Sequence, residues 1–186
     1  FGSVAALFWV TRRTGKPDPS MMVNGMLAGL VAITAPCAFV QPWAAAVIGL
    51  LAGFIVIEVV WFIERRLKID DPVGAIAVHG VCGLFGVLAV GIFSDGSYGA
   101  GWNVTDTPET AGKGITGILY DLDLGLRQLG AQAVGVLVIC TVIFGLAFGF
   151  FHFQNKFTKG GISPTAEDEI AGLDGAEMGV PAYSHD

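Results

Sequence analysis

Residues 73–93, VGAIAVHGVCGLFGVLAVGIF, form an almost entirely apolar run whose one basic side chain is His79. The hydrocarbon core of a bilayer is about 30 Å thick, and a helix needs roughly 20 residues to cross it. The run has that length, and its glycines are common in membrane helices. It therefore predicts a helix that spans a membrane.

Similar runs lie on both sides of this stretch, and the composition agrees with them. Hydrophobic residues make up 53% of the chain and charged residues 14%, whereas soluble domains average about 25% charged residues. We predict an all-α, polytopic transmembrane helix bundle over residues 1–157 and a C-terminal tail at 158–186. The predicted helices are a partial span at 1–10 and spans at about 21–40, 43–63, 73–93 and 117–157, the last beginning as an outer segment at 117–130. Because a partial span cannot cross a bilayer alone, we expect the chain to be the C-terminal portion of a longer protein.

Basic residues are distributed unevenly among the loops, which predicts the orientation. They lie in alternate connections and after the last span, at Arg12, Arg13, Lys16, Arg65, Arg66, Lys68, Lys156 and Lys159. The other connections carry only Lys113. Cytoplasmic loops of membrane proteins carry an excess of Lys and Arg. We therefore predict an integral protein of the plasma or inner membrane whose C-terminus is cytoplasmic.

The residues before the 73–93 run predict where its helix begins. Asp71 can accept hydrogen bonds from the first free amides, and Pro72 suits the first turn. Asp70 adds negative charge near the positive end of the helix dipole. His79 then lies about 12 Å into the membrane, close to its middle. An ionisable residue at that depth indicates a functional site, because lipid alone cannot accommodate it cheaply.

Two structural alternatives for His79 remain open at this stage. The imidazole could be satisfied by a backbone carbonyl or a serine on another helix. It could instead bind a metal together with Cys82, although two ligands make a poor site. The same-face neighbours of His79 are small or apolar, so any charged partner must come from another span. We expect no metal site and no cofactor.

Glu58 is a carboxylate inside the predicted span at 43–63. It could relay protons or ions. The interpretation we favour is a residue close to the interface that reaches the headgroups or a basic side chain such as Arg65.

Several motifs together give the chain a family resemblance. DDPVGAIAVHGVCG at 70–83, followed by GIFSDGSYGAG at 91–101, resembles the tenth helix and adjoining loop of ammonium transporters of the Amt/Mep/Rh family. Upstream, GKPDPSMMVNGMLAGLVAITAPCAFV at 15–40 and RRLKIDDP at 65–72 extend the similarity. EDEIAGLDGAEMGVPAY at 167–183 is similar to the tail of the Amt branch.

The resemblance implies both a fold and a set of pathway residues. The fold is an eleven-helix bundle with a pseudo-twofold repeat, which assembles into homotrimers with one pore per subunit. His79 matches the second of two pore histidines, and Ala75 lies on the pore wall one turn before it. Asn24 and Thr34 match positions with polar groups near the inner part of the pathway. The first histidine belongs to helices upstream of residue 1.

The resemblance also implies ammonium or ammonia as the substrate, lipid as the surroundings and a PII-type regulator at the cytoplasmic face. The tail departs from the family pattern at Met178, where a histidine is usual, and at Val180, where a glutamate is usual. The alternative function is an ammonium-binding receptor with a transporter-like bundle. We do not expect an enzyme, because the sequence offers no nucleophile–base pair, and no basic patch indicates nucleic-acid binding.

Overall fold

The structure is a computed structural model that describes residues 1–100 and 112–180. These residues form six α-helices: α1 (Gly2–Thr14), α2 (Pro19–Thr34), α3 (Pro42–Phe62), α4 (Cys82–Phe93), α5 (Leu122–Phe157) and α6 (Ala166–Ala171). Three short π-helical turns accompany them, at Ile63–Leu67, Ile76–Val81 and Asp174–Met178. The chain divides into two compact units, Phe1–Leu137 and Val138–Asp186.

The first unit is a helix bundle around α3. Its core consists of small and β-branched residues from α1 to α4, among them Ala6, Ala32, Ile48, Val56, Val78 and Cys82. Glycines let the backbones approach closely: a Cβ added at Gly53 would overlap the carbonyl oxygen of Gly2, and one at Gly86 would overlap that of Ala32. Such small-residue contacts are the usual way in which helices pack in lipid.

Three helical segments of the described chain are long and apolar enough to cross a membrane: Pro42–Leu67, Ile76–Phe93 and Leu122–Phe157. α2 is apolar but shorter, because it ends at Thr34 instead of continuing to residue 40. Pro36 lies two residues further on and has no N–H to continue the helical hydrogen bonds. The chain turns there, with the Phe39 amide donating to the Pro36 carbonyl at 2.8 Å.

The connection between α4 and α5 also differs from the prediction, because α5 begins at Leu122 and not at 117. An isolated bridge joins Asp95 to Thr116, and the Asp121 carboxylate accepts the Leu124 amide at 3.0 Å. An aspartate that accepts this bond ends the loop and starts the helix. Burial alone would raise the pKa of Asp95, but hydrogen bonds from Ser97 and the Gln41 side chain outweigh it and lower that pKa.

α1 and α3 are joined by an ion pair in which Glu58 reaches a basic side chain, as predicted, although that side chain is not the one named as an example. Glu58 pairs with Arg13, not with Arg65, and Arg13 Nη2 lies 2.9 and 3.0 Å from the two carboxylate oxygens. Trp9 Nε1 donates to Glu58 Oε1 at 2.6 Å. Trp9 and Arg13 are four residues apart and therefore lie on one face of α1. That register brings both donors to one carboxylate.

The second unit contains the rest of α5 and the described part of the tail. Asn155 accepts the Ile162 amide at 2.9 Å and closes the turn after α5. Thr165 caps the start of α6, and its hydroxyl oxygen accepts the Asp168 amide at 3.2 Å. The π-helical turn Asp174–Met178 follows. The predicted tail continues into residues 181–186, which lie outside the described part of the chain.

Candidate functional site

The helix that carries His79 begins with a turn organised by Asp71. The Gly74 amide donates to the Asp71 carbonyl at 2.9 Å, so residues 71–74 form a tight turn. The Asp71 side chain is only 4% exposed, and it accepts the amides of Ile76 at 3.1 Å and Ala77 at 3.4 Å. Asp71 thus accepts free amides at the start of the helix, as predicted, but it lies four residues before Ala75 and not directly before the helix.

Pro72 lies outside the helix, contrary to the prediction. Pro72 was expected in the first turn of the helix, but it lies in the turn before it, and helical geometry starts at Ala75. Gly74 makes this possible because its φ of 69° lies in the left-handed region, which glycine adopts at little cost. Asp70 is exposed, outside the turn.

His79 lies on a π-helical turn, Ile76–Val81, and not on a regular α-helix. The Cys82 amide donates to the Ala77 carbonyl, five residues back. π-helical turns are rare in proteins, and those that occur are often found at functional sites. The extra residue per turn changes the direction of the side chains. The apolar run 73–93 gave no sequence signal for this feature.

The turn separates an exposed side from a buried side. Ala75 and His79 are exposed, whereas Ala77, Val78 and Cys82 are buried in the core. His79 and Cys82 thus face different surroundings, and the described residues contain no group of three or more His, Cys, Asp or Glu that could hold a metal. No hydrogen bond to the imidazole is formed within residues 1–100 and 112–180, so the interpretation of a histidine satisfied inside this chain has no support there.

Asn24 and Thr34 both belong to α2 but lie at different depths. Asn24 is half-buried, and its Nδ2 lies 2.9 Å from the position that a Cβ on Gly74 would occupy. The structure therefore brings Asn24 next to the start of the His79 helix. Thr34 is ten residues further along α2, about 15 Å away. It is exposed, and its hydroxyl donates to the Leu30 carbonyl at 2.8 Å.

α2 also carries an exposed apolar face. Its exposed large side chains repeat with helical spacing at Val23, Met26, Leu27 and Leu30. Ile76 adds another exposed side chain beside His79 in sequence. The candidate site is therefore an exposed imidazole on a π-helical turn, with an amide at Asn24 near the start of its helix.

Comparison with known proteins identifies the family. The family model for the Ammonium Transporter Family matches residues 1–183. The chain belongs to the ammonium transporter family. Ammonium transporter Amt2 of Archaeoglobus fulgidus is 44% identical over 182 residues, which cover 98% of this chain and 36% of that protein. Ammonium transporter Amt1 of Haloferax mediterranei is 36% identical, with 98% of this chain and 30% of that protein covered.

Solved structures of this family share the fold. One described as a Sensor Amt Protein has a TM-score of 0.75 and 38% sequence identity, covering 95% of this chain and 38% of that chain. Mep2 of Saccharomyces cerevisiae, at 22% identity and a TM-score of 0.62, shares the fold. The predicted all-α, polytopic membrane bundle is confirmed. The chain spans about a third of the length of these family members.

Proposed function

We propose that the protein containing this chain moves ammonium or ammonia across a membrane, and that His79 lines its pathway. The observation that carries this proposal is the family match over residues 1–183, within which His79 occupies an exposed position on a π-helical turn. An imidazole in apolar surroundings can accept or donate one hydrogen bond without bearing a charge. A small weak base in its neutral form is the solute that such a passage suits.

The proposal includes the other pathway residues and a second histidine, outside this chain, as the partner of His79. Ala75, one turn before the imidazole, forms part of the wall, and Asn24 and Thr34 supply polar groups at two depths along α2. Asp70 and Asp71 lie at the start of the His79 helix, and Asp71 holds that start in place. The first histidine of the pair would come from helices outside this chain.

The test is transport by the complete protein in liposomes, measured as ammonium-evoked current. We expect His79→Ala to lower the current by about tenfold, because the pathway loses one hydrogen-bonding group. His152→Ala is the matched control, because it removes an exposed histidine of α5 that has no proposed role. An unchanged current in His79→Ala would refute the role of His79.

A receptor is the second candidate function, because the solved structure at 38% identity is described as a Sensor Amt Protein. A receptor would bind ammonium without sustained flux. Ammonium binding by the wild-type protein, measured calorimetrically and accompanied by no current in the same liposomes, would favour it over transport.

We further propose the assembly and orientation that the resemblance implies. The protein would form a homotrimer, with residues 158–186 on the cytoplasmic side and accessible to a PII-type regulator. Met178 and Val180 change the tail at two positions of the family pattern, so the tail contact is the part of this proposal to test first. A pull-down with a purified PII-type protein compares its binding to the wild-type protein and to the double variant Met178→His, Val180→Glu. The difference measures the effect of these two positions on binding.

A further inference from the structure

Aromatic and basic side chains of α1, of α3 and of the π-helical turn after α3 form a continuous stack at one end of the bundle. Arg13 lies with its guanidinium carbon 5.5 Å from the Trp9 ring centroid and 5.4 Å from that of Trp61. Arg65 lies 5.1 Å from the Trp61 ring centroid. We call these four residues, Trp9, Arg13, Trp61 and Arg65, the Trp–Arg stack. Cation–π contact at these distances is favourable.

The two arginines of the Trp–Arg stack differ in their charge balance. Arg13 is neutralised by Glu58, which it meets through both carboxylate oxygens. Arg65 forms no ion pair within residues 1–100 and 112–180. Glu64 precedes it in sequence, but adjacent residues on a helix do not face each other. The stack therefore presents one uncompensated guanidinium on an indole ring.

The position of the stack places that charge at the edge of the membrane. α3 has 21 residues, which give about 31 Å of rise, close to the thickness of the hydrocarbon core. Trp43 and Trp61 lie near its two ends, where tryptophan marks the interface. Arg65 comes one helical turn after Trp61 and is exposed. It thus lies at the depth of the lipid headgroups.

We propose that the Trp–Arg stack binds the phosphate of an anionic phospholipid, with Arg65 as its main ligand. A planar guanidinium matches phosphate oxygens through paired N–H donors, and stacking on Trp61 restricts its orientation before the lipid arrives. The charge is complementary, since Arg65 supplies the positive charge that Glu58 does not cancel. The exposed apolar residues Val4 and Phe8, on the same helix as Trp9, offer a surface for the acyl chains.

The test compares lipid binding by variants of the complete protein in neutral detergent. Phosphatidylglycerol and phosphatidylcholine are titrated separately, and bound lipids are counted by native mass spectrometry. We expect tighter binding of phosphatidylglycerol, and about fivefold weaker binding of it after Arg65→Gln, with phosphatidylcholine unchanged. Arg66→Gln is the matched control, because it removes the same charge from the neighbouring exposed residue. Trp61→Leu should weaken binding like Arg65→Gln, whereas Trp61→Phe should retain it.

Four outcomes would overturn the proposal. They are an equal loss in Arg66→Gln, a preference that does not depend on headgroup charge, displacement of the lipid by inorganic phosphate, and a change of oligomeric mass in lipid-free Arg65→Gln. The third outcome would assign the site to free phosphate, and the fourth to a second copy of the chain. An unchanged melting temperature of Arg65→Gln shows that the variant is folded.

Discussion

Asp71 shows how one side chain can fix the start of a functional helix. Its carboxylate is buried and accepts two amides of the π-helical turn that carries His79. A buried carboxylate has no water to replace these partners, so the amides and the carboxylate depend on each other. The same residue also begins the turn to Gly74. Its contribution is therefore to hold the start of the helix that carries the imidazole.

We predict that Asp71→Ala lowers the free energy of unfolding by about 1–2 kcal/mol, because it removes a helix cap. Asp71→Asn should retain most of the stability, since asparagine caps nearly as well. The measurement is reversible unfolding of the detergent-solubilised protein in sodium dodecyl sulfate. Asp70→Ala is the control, because Asp70 is exposed. Equal losses in Asp70→Ala and Asp71→Ala would contradict the capping role.

His79 and Cys82 illustrate a limit of reading side chains from sequence spacing. Three residues apart, they would share one face of a regular α-helix, which was the basis for weighing them as a pair of metal ligands. The π-helical turn between them changes the spacing, and the structure leaves His79 exposed while Cys82 is buried. No pattern in the apolar run signals such a turn.

At the scale of elements, the contact between α2 and α4 depends on Gly86. A Cβ at this position would overlap the carbonyl oxygen of Ala32, which belongs to the backbone and cannot move independently of α2. Glycine is thus required by the close approach of two backbones, in the way that small residues act at helix contacts in membranes. The apolar face of α2 and the His79 helix keep their register through this contact.

We predict that Gly86→Ala lowers the free energy of unfolding by about 1–3 kcal/mol, because the helices must separate to admit the methyl group. Gly145→Ala is the matched control. It changes a glycine of α5 that has no atom within 4 Å of the added Cβ, and it should leave stability unchanged or raise it through better helix propensity. Equal stability of the Gly86→Ala and wild-type proteins in sodium dodecyl sulfate titrations would show that the contact is looser than described.

Helix ends were predicted less well than helix centres, for reasons visible at single residues. α2 ends at Thr34 because Pro36 follows, and α5 starts at Leu122 because Asp121 caps it. Both signals, Pro36 and Asp121, are present in the sequence. However, apolar residues continue past Pro36, and the polar segment before the apolar part of α5 has no clear start. Hydropathy alone therefore placed these boundaries several residues away.

At the scale of the whole molecule, the distribution of basic residues predicts the membrane orientation. We expect Lys16→Cys and Lys159→Cys, each in a variant whose Cys37, Cys82 and Cys140 are replaced by alanine, to react with a membrane-impermeant maleimide only after the cells are permeabilised. Lys113→Cys should react in intact cells. Labelling in the reverse pattern would place the basic loops outside and contradict the orientation.

The amino-acid sequence is enough to predict a membrane protein and the class of its fold. In lipid, a helix satisfies all the backbone hydrogen bonds of an apolar run within the run itself. The all-α bundle therefore follows from the composition and length of these runs. The sequence also contains the family motifs. It predicts the capping role of Asp71 as well, because a cap and the amides that it binds are close together in the chain.

The contacts between side chains of different helices become visible only in the folded structure. It paired Glu58 with Arg13 instead of Arg65, stacked Arg65 on Trp61, set Asn24 beside Gly74 and exposed His79 on a π-helical turn. These features depend on the rotation and crossing of helices. The packing of glycines and small side chains sets that geometry. Because these contacts join residues that are far apart in sequence, a short stretch of sequence does not reveal them.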